Sequence, residues 1–326
     1  VKETGMATRI EIAQTGGPDV LSPVDFVPLA PAAGEVRLRH TAIGVNFIDT
    51  YHRAGIYPLP LPSGIGLEAA GVVEAVGDGV SNVAAGDRVG YFLGPIGAYA
   101  THRTLPAARL VKLPDSVSDE QAAAALLKAA TVEFLVERCA NVQAGDTVLV
   151  QAAAGGVGLL LVQWLKAVGA NVIGTAGTAE KMAVAAAHGA DHMLGYDEVP
   201  ARVREITHGR GVDVVIDGVG KSTFLASLDS LKTRGLHISF GNASGKIGEV
   251  DFGILAAKGS LYTTRPTLFD YYASDADFAT GTERVLDMLA RGLKVEIGQR
   301  YPLADVKRLH HDLEARATTG STIILP

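Results

Sequence analysis

The chain is short of three things, and each shortage closes off a class of function. It has one cysteine, Cys139, in 326 residues. That excludes an intrachain disulfide and any zinc cluster built from cysteine thiolates. It has no surplus of positive charge, since 29 Lys and Arg face 35 Asp and Glu for a formal net charge of −6. Proteins that track nucleic-acid phosphates carry net or locally dense positive charge, so no DNA or RNA partner is expected. It also lacks a clean apolar run of membrane-spanning length. The longest segment free of charge and histidine, Thr147–Leu165, has Gly155, Gly156 and Gly158 in its middle and changes there from β-branched to leucine-rich. A buried strand, a tight turn and a buried helix account for it better than a bilayer helix. With no basic-then-apolar leader, a cytoplasmic protein is expected. Val1–Gly5 precede the first methionine, Met6, and are left out of fold reasoning.

What is present has the makings of two domains: hydrophobic residues are 48% of the chain, against 20% charged. The first third reads as β structure with many turns. Arg9–Ile12 and Glu35–His40 alternate apolar and polar residues, and Gly71–Gly77 and Asp87–Tyr91 read as short strands bounded by glycines. From Asp119 the pattern turns helical, with Ser118 as N-cap. Between Thr147 and Tyr262, apolar strands (Thr147–Val150, Asn171–Thr175, Val212–Asp217, Gly235–Phe240) alternate with helical stretches (Leu159–Val168, Ala179–His188, Ser222–Leu231). Such alternation implies a parallel sheet covered on both faces. After Pro266 the pattern is mixed, with Asp277–Arg291 helical. The expected fold is α/β: a Rossmann doubly wound parallel sheet over 128–264, inserted into a β-rich domain made of 1–127 and 265–326.

The strand Val148–Val150 leads through Gln151-Ala152-Ala153-Ala154-Gly155-Gly156-Val157-Gly158 directly into a helix. A strand that turns sharply into a helix, with backbone N–H groups aimed outward and no Cβ in the way, is built to hold a pyrophosphate. A glycine turn with no ligand is the bland alternative, but its place inside a series of βα units favours a dinucleotide. No acid ends the second strand, where a carboxylate would take the ribose 2′-hydroxyl of NAD. The chain has Gly174-Thr175-Ala176-Gly177-Thr178 there, with Lys181 one helical turn on. Small hydroxyl residues and a cation suit a 2′-phosphate, so NADPH is expected over NADH. Gly218, Phe240, Gly241, Asn242 and Ser244 follow or close the strands Val212–Asp217 and Gly235–Phe240, at the carboxyl edge where such sheets bind ligands.

The segment Gly145-Asp146-x-x-Leu149-x-x-x-Ala153-Ala154-Gly155-Gly156-x-Gly158-x-x-x-x-Gln163-x-x-Lys166 resembles the medium-chain dehydrogenase/reductases, and in particular the zeta-crystallin-like bacterial NADPH:quinone oxidoreductases. The likeness runs from about Met6 to Pro326. It takes in Gly44–Tyr51, Leu61–Gly71 and Ser239–Gly245. It implies that the β-rich domain is GroES-like and that the substrate is a quinone. It places Asn46 and Thr131 beside the nicotinamide and Tyr57 facing its pocket. Gly155, Gly156, Val157, Gly177 and Thr178 would line the cofactor, and Lys181, Tyr196 and Arg316 would surround the 2′-phosphate. Thr264 and Arg265 would return the chain beside the cofactor. It also implies a homodimer joined near Gly259–Tyr262. Each has a bland reading: Asn46 as a turn residue, Tyr57 as loop packing, Thr131 bonded to its own helix, Lys181 and Arg316 as solvated cations, and the dimer strand as an inner strand.

Zinc-dependent relatives carry Gly-His-Glu where this chain has Gly66-Leu67-Glu68, and add cysteine ligands it cannot supply. A metal-free site is therefore expected, acting on acceptors that take hydride readily, such as quinones or conjugated carbonyls. Relatives carry Ser in place of Gly218, which would remove one hydrogen bond. Three other readings remain open: an enone or alkenal double-bond reductase, an NADPH sensor without turnover, and an RNA-binding protein. His310-His311 reads as an exposed helix face, Cys139 as a structural thiol, and Trp164 as a core residue.

Overall fold

The computed structural model describes residues 6–326, so the first five residues of the expected β-rich domain lie outside the described residues. The chain divides into two compact units, one running to Leu127 and resuming at Val295–Pro326, the other Lys128–Lys294. The second boundary thus lies at 294/295 and not at the expected 264/265. Hydrogen bonds hold residues 265–294 to the second unit. Arg138 donates to the Tyr271 carbonyl at 2.7 Å, and the Tyr272 hydroxyl donates to Glu133 at 2.8 Å. Arg284 donates to Glu137 at 2.8 Å. The Gln163 amide brackets Lys294, donating to its carbonyl at 3.0 Å and accepting from its N–H at 2.8 Å.

In the first unit, Glu35–Val45 is the central strand. It pairs with Glu68–Val76, His102–Pro106 and the closing strand Ser321–Leu325. Val36 and Leu38 are fully buried while Arg39 between His40 and Leu38 faces out, as strand alternation requires. The core gathers Ile10, Leu38, Val73, Val89, Tyr99 and Leu309. His310 lies inside this unit, 0% exposed, which corrects the expectation of an exposed pair; only His311 faces solvent. Arg53, 1% exposed, donates to His310 Nδ1 at 3.0 Å and to the Gly16 carbonyl at 3.1 Å, and is ion-paired with Glu314. Burial and the neighbouring Arg53 charge push the His310 pKa down to about 3, so the ring is neutral. With Nδ1 accepting, Nε2–H donates to the Tyr99 hydroxyl at 3.3 Å, and Tyr99 donates to Asp49 at 2.9 Å.

The second unit holds a six-stranded, all-parallel sheet. Its spatial order is His192–Leu194, Asn171–Thr175, Thr147–Val150, Val212–Asp217, Leu231–Ser239 and Tyr262–Thr264. This is the doubly wound order in which the chain reverses beside the first strand. Tyr262–Thr264 is an edge strand of this sheet, not an inner one. The helix Gly156–Val168 packs on the sheet with Leu160, Leu161 and Trp164 buried, and the Trp164 indole N–H donates to Glu137 at 2.8 Å. At the amino ends of the strands, the Asp213 carboxylate ties three segments together. It accepts from the Thr147 N–H at 2.8 Å, from Arg210 at 3.0 and 2.9 Å, and from Lys232.

Burial alone would raise the Asp213 pKa, but the bonds from Arg210, Lys232 and Thr147 outweigh it and hold it down at about 2. A carboxyl depressed in the folded state contributes stability above its unfolded pKa and loses it as pH falls through the folded one. Asp213→Asn should therefore cost about 2 kcal/mol at neutral pH, with the difference from wild type closing between about pH 4 and pH 2. Urea titrations across that range check this; a cost that does not change with pH would refute it.

Candidate active site

The glycine turn is shaped by close contact. The strand Thr147–Val150 ends, Ala152 takes a left-handed conformation at φ +56°, and Gly155 caps the helix Gly156–Val168. A Cβ on Gly158 would lie 2.3 Å from the Ala152 carbonyl oxygen and 2.7 Å from the Ala153 carbonyl, so only glycine lets the first helical turn sit this close. Gly155 is different. It is exposed, and its Cβ would meet nothing nearer than the Ala152 oxygen at 3.4 Å. The protein interior does not demand a glycine there. The first-turn N–H groups, which include those of Val157 and Gly158, have no partner within a helix and carry the positive end of its dipole.

The second strand, Asn171–Thr175, leads to an exposed corner. The Thr178 hydroxyl caps the helix Ala179–Ala187 by accepting from the Lys181 N–H at 3.3 Å. A Cβ on Gly177 would lie 3.9 Å from the Tyr196 ring, which puts these two residues side by side. Gly177, Thr178, Lys181 and Tyr196 are therefore gathered at one corner of the second unit. Glu180, beside Lys181, has its pKa lowered by its own backbone N–H and the Thr178 hydroxyl. The expected third cation, Arg316, belongs to the first unit, exposed and at φ +56° just past the helix Val306–Glu314.

The loops after the fourth and fifth strands interlock. A Cβ on Gly218 would meet the Phe240 ring at 2.8 Å, and one on Gly241 would meet the Gly218 oxygen at 2.3 Å. A serine at 218 would thus require the Phe240 ring to move. The Ser244 hydroxyl donates to the Val219 carbonyl at 2.8 Å and accepts from the Ser222 N–H at 2.9 Å, so it staples the two loops together. The Asn242 amide donates to the Gly241 carbonyl and accepts from Arg265, both at 3.1 Å, and Arg265 donates to the Ser239 carbonyl at 2.8 Å. Thr264 pairs with Ile238 at the end of the edge strand. Thr131, 8% exposed, lies on the helix Asp119–Glu133 just before it widens into the π-turn Phe134–Cys139.

In the first unit, Asn46 begins the helix Phe47–Arg53. Its backbone N–H donates to Asp49 at 2.9 Å, and its side-chain Nδ2 donates to Glu68 at 2.8 Å. Glu68, 0% exposed, takes the Leu127 N–H on its other oxygen at 2.6 Å. Tyr57 is half-buried, edge-on to Tyr51 at 5.4 Å and His52 at 5.9 Å. The residues that sequence reasoning missed are Glu68 and the polar side chains under the sheet edge, Gln151, Thr175, Asp217 and Ser227. All are buried; Thr175 and Asp217 close otherwise apolar strands, a signal the chain offered, whereas Glu68 opens its strand and Ser227 lies on the helix Phe224–Ser230.

The family described as zinc-binding dehydrogenase matches residues 156–284, and the alcohol dehydrogenase GroES-like domain matches residues 32–115. A curated quinone oxidoreductase of Pseudomonas aeruginosa is 48% identical over 98% of this chain and 100% of its own length. The crystal structure of the Escherichia coli quinone oxidoreductase complexed with NADPH superposes with a TM-score of 0.95 at 46% identity, covering 98% of this chain and 100% of that one. A 2-haloacrylate reductase of a Burkholderia species is 41% identical over 98% of this chain and 99% of its own. The residues present do not fit the zinc that the first family description implies. Leu67 stands between Gly66 and Glu68, both Glu68 oxygens accept N–H groups, and the one thiol, Cys139, is in the second unit. No three His, Cys, Asp or Glu side chains come together among the described residues. With relatives matching across its whole length, the chain belongs to the quinone oxidoreductases of the medium-chain dehydrogenase/reductase superfamily.

Proposed function

We propose that this protein is a zinc-independent NADPH:quinone oxidoreductase that works in the cytoplasm as a homodimer. The observation that carries the cofactor reading is the corner made by Gly177, Thr178, Lys181 and Tyr196, with no carboxylate closing the second strand. The relative from Escherichia coli, solved with NADPH, supports it. When bound, NADPH supplies a hydride from its nicotinamide, and with one proton this converts a quinone to a hydroquinone. The chain's work is positioning, because both reactants bring their own redox chemistry.

The residues divide that work. The turn Gly155-Gly156-Val157 takes the pyrophosphate on its N–H groups. Lys181, Arg316 and the Tyr196 hydroxyl take the 2′-phosphate. Thr131, Asn46, Gly218, Phe240, Gly241, Asn242, Ser244, Thr264 and Arg265 hold the nicotinamide half or the loops against it. Tyr57 donates its hydroxyl to the quinone oxygen as negative charge develops there. A quinone accepts hydride without a Lewis acid, which agrees with a Glu68 whose oxygens are already taken. The second reading, reduction of a conjugated carbon–carbon double bond, is supported by the likeness to the 2-haloacrylate reductase. The homodimer is supported by the edge strand Tyr262–Thr264, where Tyr262 is 62% exposed, and by Phe252 at 73%. For the compartment the support is the single cysteine, together with the finding that no helix among the described residues is long and apolar enough to cross a membrane.

Mixing the purified protein with 1,4-benzoquinone should consume NADPH and leave NADH nearly untouched, followed at the nicotinamide absorbance band. Binding of NADPH with no oxidation by quinones or enones would remove the enzymatic reading, and faster turnover on an enone panel would select the second. Lys181→Ala should raise KM for NADPH about tenfold while leaving the weak use of NADH unchanged; an equal loss with both cofactors would take Lys181 out of the phosphate site. Tyr57→Phe should lower kcat about tenfold to a hundredfold with KM for NADPH unaltered. Wild-type turnover in that variant means that water delivers the proton. Sedimentation should find twice the chain mass, and Tyr262→Lys should bring it toward one; a monomeric wild type ends the homodimer proposal.

A further inference from the structure

Beneath the glycine turn, the Ala152 N–H and four buried side chains form one hydrogen-bonded chain in which every donor points the same way. The Ala152 N–H donates to the Thr175 hydroxyl at 3.0 Å. Thr175 donates to Gln151 Oε1 at 2.7 Å, and Gln151 Nε2 donates to the Ser227 hydroxyl at 3.1 Å. Ser227 donates to Asp217 Oδ2 at 3.0 Å. The chain crosses from the second strand through the first to the fourth, and Thr175, Ser227 and Asp217 are all 0% exposed, with Gln151 at 3%. Its end point is a charge. Burial works to raise the Asp217 pKa, but the His237 ring 3.7 Å away and the hydrogen bonds from the Thr223 hydroxyl and the Gly220 N–H overcome it and hold it below the usual carboxylate value. The other Asp217 oxygen takes the N–H groups of Val219 at 2.8 Å and Gly220 at 3.0 Å.

One carboxylate therefore grips both backbones that flank the cofactor edge. It holds the loop Gly218–Gly220 directly, and through Ser227, Gln151 and Thr175 it holds Ala152 in the left-handed conformation that lets Gly158 close on the turn. A non-glycine residue in that conformation costs about 1 kcal/mol or more and needs its surroundings to enforce it. Successive bonds pointing toward one charge polarise each other in the same sense, so breaking one weakens the rest.

We infer that Thr175, Gln151, Ser227 and Asp217 are positioning residues for the dinucleotide: a buried relay that couples the glycine turn to the loop after the fourth strand and sets the affinity for the cofactor without touching it. This rests on the NADPH reading above.

The test compares direct NADPH binding, by fluorescence titration, in wild type, Thr175→Val and Thr175→Ser, alongside KM and kcat with 1,4-benzoquinone. Valine keeps the shape and removes the hydroxyl, leaving the Ala152 N–H and Gln151 Oε1 without their partner. Serine keeps the hydroxyl and removes the methyl. The relay predicts that Thr175→Val weakens NADPH about tenfold, with the loss in KM for NADPH and not in kcat, and that Thr175→Ser binds within about twofold of wild type. Ala152→Gly added to Thr175→Val should recover part of the affinity, because glycine adopts a positive φ unaided. Equal binding by Thr175→Val and wild type overturns the relay, as does a Thr175→Ser variant that falls as far as valine. If wild type itself binds no NADPH, the cofactor reading fails first and the relay falls with it. Should Thr175→Val not fold, Gln151→Met breaks the same chain one link on, and the same two outcomes decide.

Discussion

A hydrogen atom is all that separates the first turn of the helix Gly156–Val168 from the carbonyl of Ala152: any side chain at Gly158 would place its Cβ 2.3 Å from that oxygen. This contact sets how closely the helix approaches the sheet, and so where its positive end points. Its neighbours obey the same limit. A Cβ on Gly174 would meet Met193 Sδ at 2.7 Å and the Ala153 Cβ at 2.8 Å, so the second strand can lie beside the turn only as glycine. Ala152 accepts a left-handed backbone to complete the arrangement. The placement of the helix's positive end thus follows from steric closeness two residues inside it.

The same closeness explains which parts of the molecule could be read from the chain and which could not. Strands buried on both faces are written as apolar runs bounded by turn residues, and the limits expected for Asn171–Thr175 and Val212–Asp217 coincide with those observed. The Ser118 N-cap was equally legible, because a capping box is a local affair: its hydroxyl accepts from the Gln121 N–H at 3.2 Å, and Gln121 returns the bond at 3.0 Å. The boundary after the edge strand was not. The amphipathic helix Asp275–Ala290 could pack against either unit on its own pattern. Bonds that span 139 and 147 residues, Tyr272 to Glu133 and Arg284 to Glu137, decide the question. His310 was misread for the same reason, since Arg53, which enters its buried environment, lies 257 residues away in sequence.

Several residues of the glycine-turn signature are scaffold. Gln163 brackets Lys294 at the end of the second unit, and Lys166 pairs with Asp191 at 2.8 Å. Asp146 accepts the Gln143 N–H at 2.8 Å in the turn that Gly145 makes at φ +89°. A motif of this kind announces a family because it preserves the geometry that several unrelated contacts need at once, and only part of it faces a ligand. The chemistry had to be sought in less patterned places. Glu68 is one of them: a single acid ending a glycine-bounded segment, whose partners are backbone and amide N–H groups.

Those partners also separate the roles of the two polar side chains assigned to the reacting end. The Asn46 amide turns its NH2 group toward Glu68, which accepts from it at 2.8 Å. Asp49 takes the Asn46 backbone N–H and the Tyr99 hydroxyl, and Tyr99 in turn accepts from His310. Asn46 is thus pinned at backbone and side chain. Turning its NH2 toward a substrate oxygen would break the bond to a fully buried side chain and leave its acceptor unpaired, at a cost of about 1–3 kcal/mol. In the function proposed above, Asn46 would orient the cofactor through its carbonyl oxygen, because its NH2 group is already committed to Glu68. In that proposal, the hydrogen bond to the quinone oxygen is left to Tyr57, half-buried in the first unit.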